Sequence, residues 1–351
     1  MLELQNNHLI FSFPEVHEGA KFSLEFQRTL RIPDDDKEYP LPPGLGAFPI
    51  RHVDDFKDRV PAKWAERGGV MLPMFQSEAM WIAFHPQYVR CHGTYPVAIK
   101  IATGKVSAVT GERWSVGLKE GDYLVAPPQP WLDGYVVEKG LIRQFVAAPL
   151  GWGFSAEEQI TGKAEHGGIQ IEVIPMKADV FERRFPKQDS ILRSMDYSCD
   201  SISFCDSDER GIAVAAAAAA DMSLAPGGKM KQQVHEDPYD ISDWDVANRS
   251  RVFVHLANSL VWKAITEHDP PHPPPTAKSY ASSGLPWFEH YRDDLKSLAG
   301  TEALKGLKSV LKMGFQKGIG ILPENESAAI KSDQVHQLRS RSKNEVREGR
   351  W

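Results

Sequence analysis

The chain has 351 residues, 42% of them hydrophobic and 25% charged, enough apolar material for one large core or two moderate ones, which excludes disorder throughout. A net charge of -6 and a pI near 6.1 create no global positive field to draw the chain to nucleic acid or anionic lipid, so nonspecific DNA binding is not expected, and only a local basic face would supply such attraction. The three cysteines, Cys91, Cys199 and Cys205, are too few and odd in number for a disulfide framework, so a reducing, cytoplasmic setting is expected. Met1 to His8 carries no basic leader, and the apolar run from Gly211 to Ala220 is too short to span a bilayer.

In chain order, Phe22, Leu24 and Phe26 alternate with Ser23, Glu25 and Gln27, which predicts a strand with one apolar face; Leu9 to Phe13 is expected to pair with it. Pro40 to Pro49 holds four prolines and two glycines, the composition of a surface connector. Val97, Ile99 and Ile101 alternate with Ala98 and Lys100, break at Thr103-Gly104-Lys105 and resume from Val106 to Val109, the pattern of a hairpin. A second hairpin is expected from Tyr135 to Val146 around Glu138-Lys139-Gly140. Gly167-Gly168 then launches Ile169, Ile171 and Val173, with Gln170 and Glu172 on the opposite face of a half-buried strand.

From Lys177 to Gly211 periodic apolar residues are sparse, which predicts an exposed insertion. Ala213 to Ala220 has high helix propensity and is read as a helix ended at Pro226-Gly227-Gly228, with a small-residue strand packed under another backbone as the alternative. Arg251 to Ala257 alternates as a strand, Asn258-Ser259 caps a short helix through Trp262, and Pro270 to Pro275 is extended. After Pro286 the period becomes helical, with Phe288, Tyr291, Leu295 and Leu298 on one face. Thr301 caps a further helix carrying Leu304, Leu307 and Leu311, so an antiparallel α-hairpin is expected.

The resulting fold class is α+β, a predominantly antiparallel β sandwich or distorted barrel with a C-terminal α-hairpin. Four stretches follow: a β-rich core at 1–176, a polar insertion at 177–211, a continuation of the core at 212–325, and a basic, weakly ordered tail at 326–351.

Four constellations carry candidate chemistry. Trp131, Asp133 and Tyr135 follow Pro130 in a stiff loop, and Trp152 stands between two glycines; such rings stack on sugars or planar ligands, or pin loops to the core. Glu165 and His166 precede the glycine pair and are the catalytic candidates, a base beside exposed N–H groups, although no nucleophile elbow accompanies them. His235 and Asp237 form an H-x-D pair, which with His290 would supply two imidazoles and a carboxylate to a metal. Together with the preceding Pro-Gly turn this pair resembles the cupin and double-stranded β-helix families over about a dozen residues, a resemblance that implies a metal-dependent oxygenase. Finally, Lys305, Lys308 and Lys312 share a helical face, which reads as solvated surface or as a guide for an acidic partner.

No constellation completes a catalytic template, so the function expected is a non-catalytic binding or assembly protein whose β scaffold presents aromatic ligand or partner loops. The alternative is a cupin-like or non-haem iron oxygenase-like enzyme using His235 and Asp237. No cofactor is expected. The partners expected are a small molecule, a glycan or a protein, a second copy of this chain included, and neither nucleic acid nor membrane.

Overall fold

The alternating segment Lys21–Thr29 is a strand whose Phe22, Leu24 and Phe26 are buried while Ser23, Glu25 and Gln27 line a half-exposed outer face. These positions belong to a computed structural model that describes residues 1–187, 221–290, 292, 294–318 and 325–338. Two neighbours flank the strand antiparallel, His8–Ser12 on one side and Ala79–Pro86 on the other. Side chains alternate in strands, so Leu9, Phe11, Met80, Ile82 and Phe84 join the phenylalanines in one core and the outer face is shared too. Leu2–Gln5 adds an edge through a turn at Asn6 and Asn7, whose φ values of 48° and 62° are those of a type I′ hairpin.

The sheet continues where Phe145 of Leu141–Pro149 faces Met80. It then runs through Asp221–Lys231, Ser250–Asn258, Ile169–Pro175 and Val97–Thr103, each antiparallel to the one before. Parallel pairing joins Val70–Met74 to Ser250–Asn258, Glu38–Tyr39 to Asp221–Lys231, and Trp287–Glu289 to Val335–Gln337. Strand outweighs helix, 37% against 19%, so the fold is α+β and mostly antiparallel. The main sheet has 17 strands and is open, with no closed barrel among the described residues. No described helix is long and apolar enough to cross a membrane.

Both expected hairpins form. Thr103 pairs with Val106, and Gly104 and Lys105 between them have φ of 52° and 66°. Gly104 is required twice over, because a Cβ there would also lie 2.1 Å from the Glu157 carboxylate. The second hairpin pairs Gly134–Glu138 with Leu141–Pro149 and shifts register between Val136 and Glu138.

Elsewhere the structure corrects the sequence reading. Ile169–Pro175 is buried on both faces, Gln170 and Glu172 included, because Val97–Thr103 and Ser250–Asn258 flank it and other layers cover it. Pro226-Gly227-Gly228 makes no turn; it lies inside the strand Asp221–Lys231, where a Cβ on Gly228 would meet the Pro33 carbonyl at 2.3 Å. The polar stretch after Lys177 begins with a helix, Ala178–Arg184, that buries Val180 and Phe181 against the core. Residues 188–220, including Cys199, Cys205 and the alanine run, lie outside the described residues.

The C-terminal α-hairpin is also corrected. Trp287–Glu289 is a strand, Trp287 is fully buried, and Leu41 and Phe288 exchange backbone hydrogen bonds. Thr301 does cap a helix, but Glu302–Lys305 ends at Gly306 and a separate helix, Val310–Gln316, starts at the Ser309 cap. Of the tail, Val335–Gln337 is a strand with Gln334 buried beside it, and 339–351 lie outside the described residues.

Candidate functional site

The outer face of Lys21–Thr29 and Ala79–Pro86 is where side chains capable of recognition collect. Trp81, Ala83 and His85 alternate outward on one strand, and Ala83 pairs directly with Trp131 of the short strand Trp131–Leu132. Trp131 therefore projects on the same face as Trp81. Their rings meet edge to face, centroids 6.1 Å apart and planes at 67°. His290 closes the other flank at 5.1 Å from Trp131. Its Nδ1–H donates to the Leu338 carbonyl at 3.1 Å, which ties the ring to the end of the strand Val335–Gln337. Trp81, Trp131 and His290 are all half-buried.

The rigidity of Trp131 comes from behind it. Gln129, 2% exposed, donates to the Trp131 carbonyl at 2.8 Å, and its own amide oxygen accepts the His235 N–H at 3.0 Å. Gln232 makes a reciprocal pair with Asp133, accepting its N–H at 3.0 Å and donating to its carboxyl at 2.7 Å. Burial pushes the Asp133 carboxyl up to about 7, against hydrogen bonds from the Trp131 indole and the Gln232 amide. Trp131 itself is only half-buried, so part of its ring is left for solvent. Tyr135 is fully buried, its hydroxyl shared between Thr103 at 2.8 Å and the Leu224 carbonyl at 2.9 Å.

Sequence candidates from separate stretches are partly united here. Trp131 and His290 touch, and His235 lies near enough to His290 and Arg292 for their charges to add to burial in holding its imidazole pKa down. Asp237 goes elsewhere, accepting from the Tyr123 hydroxyl, the Trp244 indole at 2.8 Å and the Tyr239 N–H at 2.8 Å. His235, Asp237 and His290 do not bring their ligand atoms within 4.8 Å of one another. Trp152, 46% exposed, stands on a different groove with Lys317 and Glu158, whose lining includes neither Trp131 nor Asp133.

Glu165 and His166 also separate. Glu165 is exposed and pairs with Lys163 at 3.1 Å. His166 turns its Nδ1 to the buried Glu157, 3.0 Å away, and that carboxylate also receives the His166 and Gly167 N–H groups, each at 3.0 Å. The N–H groups that would stabilise an oxyanion are therefore occupied by the protein's own carboxylate.

Sequence reasoning missed Trp81, Gln129 as a clamp, and Gln232. A signal existed for the first: Trp81, Ala83 and His85 share parity. Comparison with family models, with curated proteins and with solved structures finds no match.

Proposed function

We propose that the chain is a non-catalytic binding protein that holds a planar or sugar-like small molecule against Trp81 and Trp131 on the outer face of the sheet. The observation that carries this reading is the half-buried pair of indoles set edge to face on paired strands, one of them on a loop held from behind by Gln129 and Gln232. A ligand ring stacks on one indole and meets the edge of the other, the two geometries aromatic pairs favour. Because Gln129 and Gln232 already fix the Trp131 loop, little conformational entropy is lost on binding. Gln27, paired across the strands with Trp81, supplies a neutral amide beside the rings. The oxygenase alternative has less support, since Asp237 is committed to Tyr123, Trp244 and Tyr239.

The test is a titration followed through the indole N–H resonances of the chain, with oligosaccharides and aromatic heterocycles as probes. Saturable shifts of the Trp81 and Trp131 signals are expected with at least one probe class. Shifts confined to Trp152, or none with any probe, would refute the proposal.

A further inference from the structure

We infer that His8, Glu25 and His85, on three adjacent strands of the outer face, form a binding site for a borderline divalent transition-metal ion such as Zn2+. The inference goes beyond the proposed ligand site, since it uses none of the residues that hold the aromatic rings.

The strand registers create the constellation. His8 pairs directly with Glu25, and His85, paired with Ser23, reaches Glu25 diagonally from the next strand. Parity places all three on the outer face. Their ligand atoms lie within 4.8 Å of one another, the one such grouping of three or more among the described residues. The nearer Glu25 carboxylate oxygen is 3.6 Å from the His8 Nε2 and 3.8 Å from the His85 Nε2. Donors about 2.0–2.1 Å from a shared tetrahedral zinc sit roughly 3.4 Å apart, so the two Glu25–histidine separations are already within a few tenths of an ångström of that spacing, and the two imidazoles complete the shell by side-chain adjustment.

The surroundings favour metal over mere proximity. The Nδ1 of His8 lies 2.9 Å from the Asn6 carbonyl, which can only accept. Nδ1 therefore carries a proton and Nε2 is the nitrogen turned towards Glu25, and a bond from Nδ1–H to a carbonyl is the outer hydrogen bond that orients metal-bound histidines. Asn6 is held in the type I′ turn, and the Asn7 side chain accepts the Ile50 N–H at 3.0 Å, so the carbonyl that fixes His8 is itself fixed. Two imidazoles and one carboxylate select Zn2+, Co2+, Ni2+ or Cu2+ over Mg2+ and Ca2+, which want all-oxygen shells. The His85 side chain is 50% exposed, which leaves a remaining coordination position open to water or a ligand atom.

The experiment uses the full, untagged chain stripped with chelator. Calorimetry with Zn2+, and the visible spectrum on adding Co2+, are compared between the wild type and the variants His85→Ala and Glu25→Gln, with His290→Ala as control. Zinc binding weakened by more than about tenfold in the first two, unchanged in the control, together with tetrahedral Co2+ bands in the wild type, is expected. Broadening of the His8 and His85 imidazole resonances by Co2+ in the wild-type chain gives the same reading without any variant. Absence of zinc binding, or binding that survives both substitutions, or broadening centred on other histidines, overturns the inference.

Discussion

Asp133 shows at the scale of one residue how a side chain that reads as a ligand contact becomes a support. Its sequence context, between Trp131 and Tyr135, suggested an acceptor for an incoming ligand, yet the carboxyl faces inward and is 4% exposed. Nothing local announces this, because the partner that encloses it, Gln232, lies 99 residues away in the chain. Its folded pKa of about 7 is raised above the ordinary value of 3.8, so the folded state holds a proton that the unfolded state releases. The associated stability is fully present below pH of about 4 and is lost as pH rises through about 7. Asp133→Asn, which keeps the shape and the bond from Gln232, is expected to remove that decline and to be more stable than the wild type at pH 8. Urea titrations across this range check it, and a variant as pH-sensitive as the wild type would place the proton elsewhere. His255, buried against Trp64, has the opposite sign: burial pulls its pKa down to about 4, so its contribution falls as pH drops below the unfolded value near 6.5.

At the scale of elements, the legible parts were those whose signals are local. The hairpin around Gly104-Lys105 was readable because a two-residue I′ turn demands positive φ at both positions and alternation flanks it. Asn258 was readable as a cap because its side chain accepts the Leu260 N–H, at 3.0 Å. The C-terminal α-hairpin misled because the period of Phe288, Tyr291, Leu295 and Leu298 ignores what the backbone pairs with, and the Trp287 segment is claimed by Leu41 and by the strand Val335–Gln337. Gly300 shows the same limit: a Cβ there would lie 1.8 Å from the Val137 carbonyl, a contact set by tertiary packing alone. The leucine face survives the broken helix in part. Leu304 and Leu307 are buried and Leu311 only half-buried. Leu307→Ala is therefore expected to cost about 2 to 5 kcal/mol and Leu311→Ala clearly less. Equal losses in denaturant titrations would mean that Leu311, on the second helix, packs as deeply as Leu307 in the link before it.

At the scale of the molecule, a single outer sheet face gathers what the sequence scattered. His8, Glu25, Trp81, His85 and Trp131 come from four strands, and only register places them together. Periodicity gave the apolar side of Lys21–Thr29, by parity its outward Ser23, Glu25 and Gln27, and its pairing with the segment from Leu9 to Phe13, but not that Ala79–Pro86 flanks it on the other side. Trp131 was therefore legible as a candidate, while its companion Trp81 and the His8, Glu25 and His85 cluster were not. Long-range pairing also explains why Trp152, equally conspicuous in sequence, ends up on a separate groove with Lys317.

That separation supplies the most direct test of the account. The affinity of the tightest probe from the indole titration is measured by calorimetry for the wild type, Trp131→Ala and Trp152→Ala, each first shown to be folded by its near-ultraviolet circular dichroism. Loss of a stacking ring from a binding face is expected to weaken binding by at least about tenfold, or 1.4 kcal/mol, in Trp131→Ala, and Trp152→Ala should bind as the wild type does. Undiminished affinity in Trp131→Ala with loss in Trp152→Ala would contradict the account and move the binding site to the groove at Lys317.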